Sequence, residues 1–337
     1  MQKKDSHILV TGGTGYIGSH VVIELLNQGY DVEILDNLIN SKISILDQIQ
    51  KITGKKPIFH QVDLLDSSAL DKIFAKTHFD VVIHFAGLKA VAESIKQPLR
   101  YYDNNITGTL NLLKSMQSHD VKNLIFSSSA TVYGDQAKNG KCIETIQTGI
   151  GITNPYGKTK FMIEEILKDL AAADPDFKII ALRYFNPIGN HPSGIIGENP
   201  NGIPNNLMPY IMKVFQKKLP ELQIYGNDYN TKDGTCLRDF IHVIDLAKGH
   251  ISAIDGLKPG FTAYNLGTGH PTSVLEMVQA FEEISGEPLP HKFTPRRPGD
   301  LAILYADPSK AEQDLGWHAN LTVNNAIKDI LTFIKCQ

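Results

Sequence analysis

The first twenty residues restrict this chain more than any other stretch. The apolar run Ile8-Leu9-Val10 leads into Thr11-Gly12-Gly13-Thr14-Gly15-Tyr16-Ile17-Gly18, and Tyr16–Gln28 then places Ile17, Val21 and Leu25 four apart. A buried strand, a glycine turn and an amphipathic helix open a βαβ unit. The glycines allow a tight bend and close backbone approach to a phosphate. The helix N-terminus adds free N–H groups with partial positive charge. A bare Gly-x-Gly-x-x-Gly is weak: with 27 glycines in 337 residues, chance alone supplies about 0.2 matches. Its setting makes it informative, because the next candidate strand, Val32–Asp36, ends in an acid near the usual spacing. A carboxylate at Asp36 suits the ribose hydroxyls of NAD and repels the 2′-phosphate of NADP.

The alternation continues. Pro57–Val62, Val81–Phe85, Asn123–Ser127 and Lys178–Leu182 read as further strands. Ser67–Ala75, Tyr102–Gln117 and Tyr156–Ala173 carry apolar residues at helical spacing. This pattern predicts an α/β fold, a doubly wound parallel sheet of the Rossmann type with helices on both faces. The texture changes at Asn186. Asn186–Met208 is broken by Gly and Pro and reads as a long loop, and long loops in compact domains are often functional. Beyond it, Met208–Gln216, Val243–Ile254, Val274–Ser285 and Val323–Lys335 read as helices, with Gln223–Gly226 and Ala263–Gly267 as strands. The expected division is a dinucleotide-binding domain over residues 1–185 and a smaller, mixed substrate-binding lobe over 186–337. Its boundary is soft, because a late segment can return to the sheet.

Composition closes off several functions. With 33 Lys+Arg against 36 Asp+Glu, the chain lacks the basic excess of a nucleic-acid binder. At 42% hydrophobic and 20% charged it is an ordinary globular sequence. No stretch suits a bilayer span or a signal peptide. Cys142, Cys236 and Cys336 are far apart and odd in number, and this favours a reducing, cytoplasmic compartment over a disulfide framework. His84, His242 and His250 are isolated, so no metal site is expected.

Tyr156 and Lys160 stand four apart at the start of a candidate helix, so they share a face. The pair follows a strand ending in Ser127-Ser128-Ser129. A phenol titrating near 10 is a poor base at neutral pH. A neighbouring ammonium and a positive nicotinamide ring both favour its ionised form. The phenolate can then take a proton from a sugar hydroxyl while hydride leaves the same carbon, with a serine hydroxyl holding the developing carbonyl oxygen.

Together these residues resemble the short-chain dehydrogenase/reductase superfamily in its extended, sugar-nucleotide-modifying form. The resemblance tightens to that superfamily's UDP-hexose 4-epimerases through His84-Phe85-Ala86-Gly87-Leu88-Lys89, Tyr101-Tyr102-Asp103-Asn104-Asn105 and Ser127-Ser128-Ser129-Ala130-Thr131-Val132-Tyr133-Gly134. Further along, Leu182-Arg183-Tyr184-Phe185-Asn186-Pro187, Gly202-Ile203-Pro204-Asn205-Asn206-Leu207-Met208-Pro209-Tyr210 and Arg238-Asp239-Phe240-Ile241-His242-Val243 extend it to about Trp317. A 4,6-dehydratase or decarboxylase of the same superfamily is the nearest rival. Dehydratases carry an acidic pair where this chain reads Ala130-Thr131-Val132. A catalytically dead dinucleotide sensor is a second rival, and such proteins typically lose the Tyr/Lys pair.

The resemblance implies NAD as cofactor and redox-neutral inversion at carbon 4 of a UDP-hexose through a 4-keto intermediate, as in galactose metabolism. It implies Ser129, Tyr156 and Lys160 as catalytic residues. Gly12, Gly15, Tyr16, Ile17, Gly18 and the stretch Asp36, Asn37, Leu38, Ile39, Asn40 and Ser41 would hold the pyrophosphate and adenosine ribose. Asp63 and Leu64 would meet the adenine. Phe85, Ala86, Gly87, Leu88, Lys89 and Asn104 would line the cofactor, with Phe185 and Tyr184 at the nicotinamide. Asn186, Asn206, Leu207, Arg238, Arg297 and Asp300 would hold the UDP-sugar, and Leu304 would face the substituent at carbon 2. Arginine suits bidentate recognition of a diphosphate. A homodimer is also implied, through the Tyr102–Gln117 and Tyr156–Ala173 helices.

Overall fold

Ile8 and Val10 pack into one apolar cluster and Leu9, between them, into another. Successive side chains of a strand point to opposite faces, so this strand is covered on both sides. The computed structural model describes residues 6–137, 140–199, 204, 206–297 and 299–337. Gly202, Ile203, Asn205 and Pro298 lie outside the described residues.

The chain opens with β1 (His7–Thr11), α1 (Tyr16–Gln28), β2 (Asp31–Asp36), α2 (Ile45–Thr53), β3 (Ile58–Gln61), α3 (Ser67–Lys76) and β4 (Val81–His84). Next come α4 (Val91–Lys96), α5 (Pro98–Tyr102), α6 (Gly108–Ser118), β5 (Asn123–Ser127), β6 (Lys141–Cys142), α7 (Pro155–Ala173) and β7 (Lys178–Tyr184). The remainder begins with β8 (Asn186–Ile188), α8 (Leu207–Phe215), β9 (Leu222–Tyr225), β10 (Leu237–His242), α9 (Val243–Asp255) and β11 (Gly260–Leu266). It ends with β12 (Pro271–Ser273), α10 (Val274–Ser285), β13 (His291–Thr294), β14 (Ile303–Ala306), α11 (Ser309–Leu315) and α12 (Val323–Lys335).

Seven parallel strands form the large sheet in the order β11-β7-β5-β4-β1-β2-β3. Residues of α1 and α9 cover one face, and residues of α3, α6 and α7 cover the other. The strand order reverses between β1 and β4, and the crevice beyond their C-terminal ends is where such sheets take ligands. A second sheet runs β12-β10-β14-β6, with β8 added to β10, and β13 pairs with β9. A third apolar cluster, from α8, β9, β10, α10 and α12, lies in this part of the chain.

Local signals set the helix ends. Asn154 caps α7 by accepting from the Gly157 N–H at 2.8 Å, with Pro155 at the first helical position. Ser273 and Glu276 form a capping box on α10. Gly29 ends α1 in the left-handed region at φ +92°, and its N–H turns back to the last carbonyls.

Two expectations change. The single helix expected over Tyr102–Gln117 is instead α5, a π-helical turn at Asp103–Thr107, and α6. The wider turn seats the buried side chain of Asn105, which holds both Leu88 backbone groups and the Thr159 hydroxyl. Such π-turns cluster at functional sites. Asn186–Met208 is not loop throughout, since Asn186–Ile188 pairs with β10. The soft boundary near residue 185 leaves α9 and β11, which belong to the large sheet's layers, on its far side.

Candidate active site

The glycine turn lies at the switch point of the large sheet. Gly12 has φ +71°, and a Cβ there would come within 2.7 Å of the Ala86 nitrogen in the loop after β4. At Gly18 a Cβ would reach 2.3 Å from the Gly12 carbonyl oxygen, so glycine is what lets α1 sit this close to β1. No side chain caps α1 and no acid stands in its first turn, so its N-terminal donors face the crevice without an internal anion. That is the donor set a diphosphate requires.

Asp36 is buried at the end of β2. Its carboxylate accepts from the Thr14 N–H at 3.2 Å, the Leu38 N–H at 2.9 Å and the Ser41 hydroxyl at 3.2 Å. It therefore shapes the glycine turn and its own loop, in which Leu38 takes φ +63°. Asn37 donates to Asp63 at 2.8 Å, joining the loops after β2 and β3.

A cavity of about 1020 Å³ runs from these loops across the C-terminal ends of the strands. The structure gathers most of the expected residues on its wall: Gly12, Gly15, Tyr16, Ile17 and Gly18 from the turn, and Asp36, Asn37, Ile39, Asn40 and Ser41 from the next loop. Asp63, Leu64, Phe85 to Lys89 and Asn104 follow, then Ser129, Tyr156, Lys160, Tyr184, Phe185, Asn186, Asn206 and Leu207. Leu38, Arg238, Arg297, Asp300 and Leu304 do not line it.

Those last four residues sit on and beside the second sheet. Arg238 on β10 lies opposite Leu304 on β14, and its guanidinium stands 3.8 Å from Asp300. The Arg297 guanidinium stacks on the Tyr225 ring at 4.0 Å. Leu304 packs against the small cluster of Phe185, Cys142 and Ala306. Of that cluster, Phe185 also faces the cavity.

At the centre of the wall, Tyr156 is the second residue of α7 and Lys160 follows one turn later. The buried Lys160 ammonium donates to the Ser127 carbonyl at 2.6 Å and lies 4.8 Å from the Phe126 ring centroid. Ser129, just past β5, has its hydroxyl beside the Tyr156 phenol and accepts from the Thr131 N–H at 3.3 Å. Burial pushes the Tyr156 phenol above its ordinary value, and the Ser129 hydroxyl opposes that shift. Burial also pulls Lys160 down to about 7, opposed by the Glu164 charge. The expectation that Lys160 lowers the phenol is therefore not met by the chain alone. Taking both groups out of water disfavours the charged form of each, and the ammonium is directed at a carbonyl.

Several residues at the site escaped sequence reasoning. Glu198 is buried and pairs with Lys89 at 3.3 Å, closing one side of the cavity. Ser127, also on the wall, has its hydroxyl hydrogen-bonded to that of the expected Tyr184. Asn105 shapes the Gly87–Leu88 turn from below. Only Asn105 left a usable trace, an Asn-Asn pair inside an otherwise apolar helical pattern. Among the described residues no group of three or more His, Cys, Asp or Glu side chains could hold a metal ion.

A family model, NAD dependent epimerase/dehydratase, matches residues 8–267. The UDP-glucose 4-epimerase of Bacillus subtilis is 55% identical over 314 residues, covering 93% of this chain and 92% of that protein. The UDP-glucose 4-epimerase of Dictyostelium discoideum is 54% identical over 332 residues, covering 98% of this chain and 96% of the other. Among solved structures, the UDP-glucose 4-epimerase of Bifidobacterium longum in complex with NAD+ and UDP superposes with a TM-score of 0.94 at 51% identity, over 98% of each chain.

Proposed function

The chain belongs to the NAD dependent epimerase/dehydratase family, and we propose that its cavity wall holds the catalytic machinery of a UDP-hexose 4-epimerase, with the roles assigned below. The chain is an NAD-dependent isomerase that inverts carbon 4 of UDP-galactose and UDP-glucose. One observation carries the assignment of roles: Ser129, Tyr156 and Lys160 meet on the wall of the same cavity that the glycine turn and Asp36 line further along.

The glycine turn fits the cofactor's diphosphate, because Gly12 and Gly18 leave no room for a Cβ and the α1 N-terminus has donors to spare. Asp36 and Asp63 serve the adenosine end. When bound, NAD supplies the hydride acceptor and the positive ring charge that lowers the Tyr156 phenol. Tyr156 then takes the proton from the carbon 4 hydroxyl and later returns one to the rebuilt alcohol. Ser129, already beside the phenol, holds the oxygen that becomes the carbonyl. Lys160 fixes the tyrosine's surroundings through the Ser127 carbonyl. The 4-keto sugar turns over between the two hydride transfers, so its ring must be held loosely and its diphosphate firmly. Asn186, Asn206 and Leu207 serve the UDP-sugar from the cavity wall; beside the second sheet Arg238 and Arg297 serve its diphosphate, and Asp300 holds another part of the UDP-sugar.

The Leu99, Ile95 and Met162 side chains are exposed, on α5, α4 and α7. This apolar face supports a homodimer. Its apolar surface differs from the one the sequence suggested, since Leu113, Met116, Ile163 and Leu167 pack inward against the sheet. The three free cysteines support a cytoplasmic setting, and no helix among the described residues is long and apolar enough to cross a membrane.

The test is turnover with purified, NAD-loaded protein. UDP-galactose should yield UDP-glucose with no net release of NADH. Steady accumulation of NADH would point instead to a dehydrogenase. Light scattering at micromolar concentration should give twice the chain mass, and a monomer mass would refute the dimer.

A further inference from the structure

One helical turn beyond Lys160, on the same face of α7, Glu164 is wholly buried. Arg183 on β7 grips it with both prongs, Nε to Oε1 at 2.9 Å and Nη2 to Oε2 at 2.6 Å. The Ser128 hydroxyl donates to Oε1 at 2.5 Å. The guanidinium is itself fixed, because Nη1 donates to the Tyr133 hydroxyl at 3.1 Å and that hydroxyl donates to Asn265 on β11 at 2.7 Å. Burying such a pair is seldom the cheapest way to fill a core, and apolar replacements of equal volume are often as stable. What the fork does supply is a fixed position for an oxygen.

We propose that Glu164 is a positioning residue for the reaction: locked by Arg183, its carboxylate holds the Ser127–Ser129 turn through the Ser128 hydroxyl. The inference rests on the roles assigned above to Ser129, Tyr156 and Lys160. Ser128 stands between the Ser127 carbonyl, which receives the Lys160 ammonium, and Ser129, whose hydroxyl stands beside the Tyr156 phenol. A shift of Ser128 therefore moves both contacts at once, and small misplacements at a reacting centre cost rate disproportionately.

The same carboxylate acts on Lys160 by charge. Lys160 is faced by Tyr156 and Glu164 on α7, by the Ser127 carbonyl and the Phe126 ring on β5, and by His84 on β4. Arg183 on β7 stands behind Glu164. Burial keeps His84 neutral near pH 7, with its pKa at about 3. Glu164 is the negative group of this set, and it opposes the loss of the Lys160 proton.

Two variants separate these effects. Ser128→Ala removes the strut and leaves the charge. We expect kcat to fall about tenfold, with KM, NAD retention, the melting temperature and the pH profile of kcat unchanged. The double variant Glu164→Gln/Arg183→Met keeps an oxygen for Ser128 and removes both charges. Its alkaline limb of kcat should move to lower pH. Parental kcat in Ser128→Ala, or a fall matched by lost NAD or lost thermal stability, overturns the strut whether or not the double variant folds. An unmoved alkaline limb in a folded double variant overturns the charge effect. A parent enzyme that fails to interconvert the sugars overturns the functional reading, and this inference with it. An active parent with an undiminished Ser128→Ala overturns the inference alone.

Discussion

Tyr16 donates its hydroxyl hydrogen to the carbonyl of Gly189 at 2.5 Å, across 173 residues of sequence. Tyr16 opens α1 behind the glycine turn, and Gly189 follows β8, which pairs with β10 of the second sheet. The bond ties the dinucleotide end of the cavity to the lobe that carries Arg238. Burial, helped by the Glu198 charge, holds the phenol well above its ordinary value, so it remains a donor at any working pH. Removing it leaves the buried Gly189 carbonyl without this partner, which costs about 1–3 kcal/mol. Tyr16→Phe should therefore lose about that much stability in urea unfolding of the cofactor-free protein and release NAD faster. Unchanged stability and unchanged NAD dissociation would show that the two sheets are held together without this bond.

Tyr156→Phe should fold, keep NAD and lose at least about two orders of magnitude in turnover, the usual contribution of general acid–base catalysis. Lys160 keeps its partner in that variant, since its ammonium is held by the Ser127 carbonyl and not by the phenol, and Ser129 keeps its contact with the Thr131 N–H. Near-parental activity of the purified, cofactor-loaded variant would remove Tyr156 from the chemistry.

How far the sequence reached depended on whether the information was local. The β1 strand, the glycine turn and α1 were legible together, because an apolar strand, glycines at fixed offsets and a helical period all occur within 22 residues, His7 to Gln28. The Tyr156–Lys160 pair was legible because a helix places residues four apart on one face. The helix α2 was missed because it is nine residues long with only Leu46 and Ile49 buried, too short a pattern to register. Short strands such as β6, of two residues, and β14, of four, exist only through pairing with distant partners. No local signal announces that kind of pairing. The Glu198–Lys89 and Glu164–Arg183 pairs are likewise long-range, and a single charged residue in sequence looks the same whether it ends up solvated or buried. The return of β11 to the large sheet is a fact of topology, read from the register of Gly260–Leu266 on β7.

Acid should destabilise the fold through its histidines. His20, His84, His242 and His250 are buried, and burial pulls their pKa values to about 3, 3, 4 and 4. In the unfolded chain each titrates near 6.5. Above that pH both states are neutral and the full stability is present. As pH falls below it, the unfolded state takes up protons that the folded state refuses, and stability is lost down to about pH 3–4. Each such histidine contributes up to about 1.4 kcal/mol per pH unit in that window. Urea unfolding at pH 5 should therefore take up protons, and His250→Gln should reduce the uptake by about one. An uptake unchanged by that substitution would mean that His250 is already charged in the folded protein.

Substrate breadth is expected to depend on Leu304. The side chain does not line the cavity; it packs in the cluster of Cys142, Ala306 and Phe185, and Phe185 faces the cavity. Any effect on the sugar's carbon 2 substituent must then pass largely through the room Leu304 leaves for Phe185. An acetamido group pressed against a packed wall of this kind should cost about 1–3 kcal/mol, the usual range for overpacking. That corresponds to a preference of roughly ten- to hundredfold for the plain hexose. The unmodified enzyme should accordingly interconvert UDP-glucose and UDP-galactose efficiently and the N-acetylated pair weakly. Leu304→Ser shortens the side chain behind Phe185 and should raise kcat/KM for the N-acetylated pair while leaving the plain pair within a few-fold. The comparison of kcat/KM for both pairs in both proteins decides it. Equal efficiency on the two pairs in the unmodified enzyme would show that neither Leu304 nor the wall it supports acts as a gate.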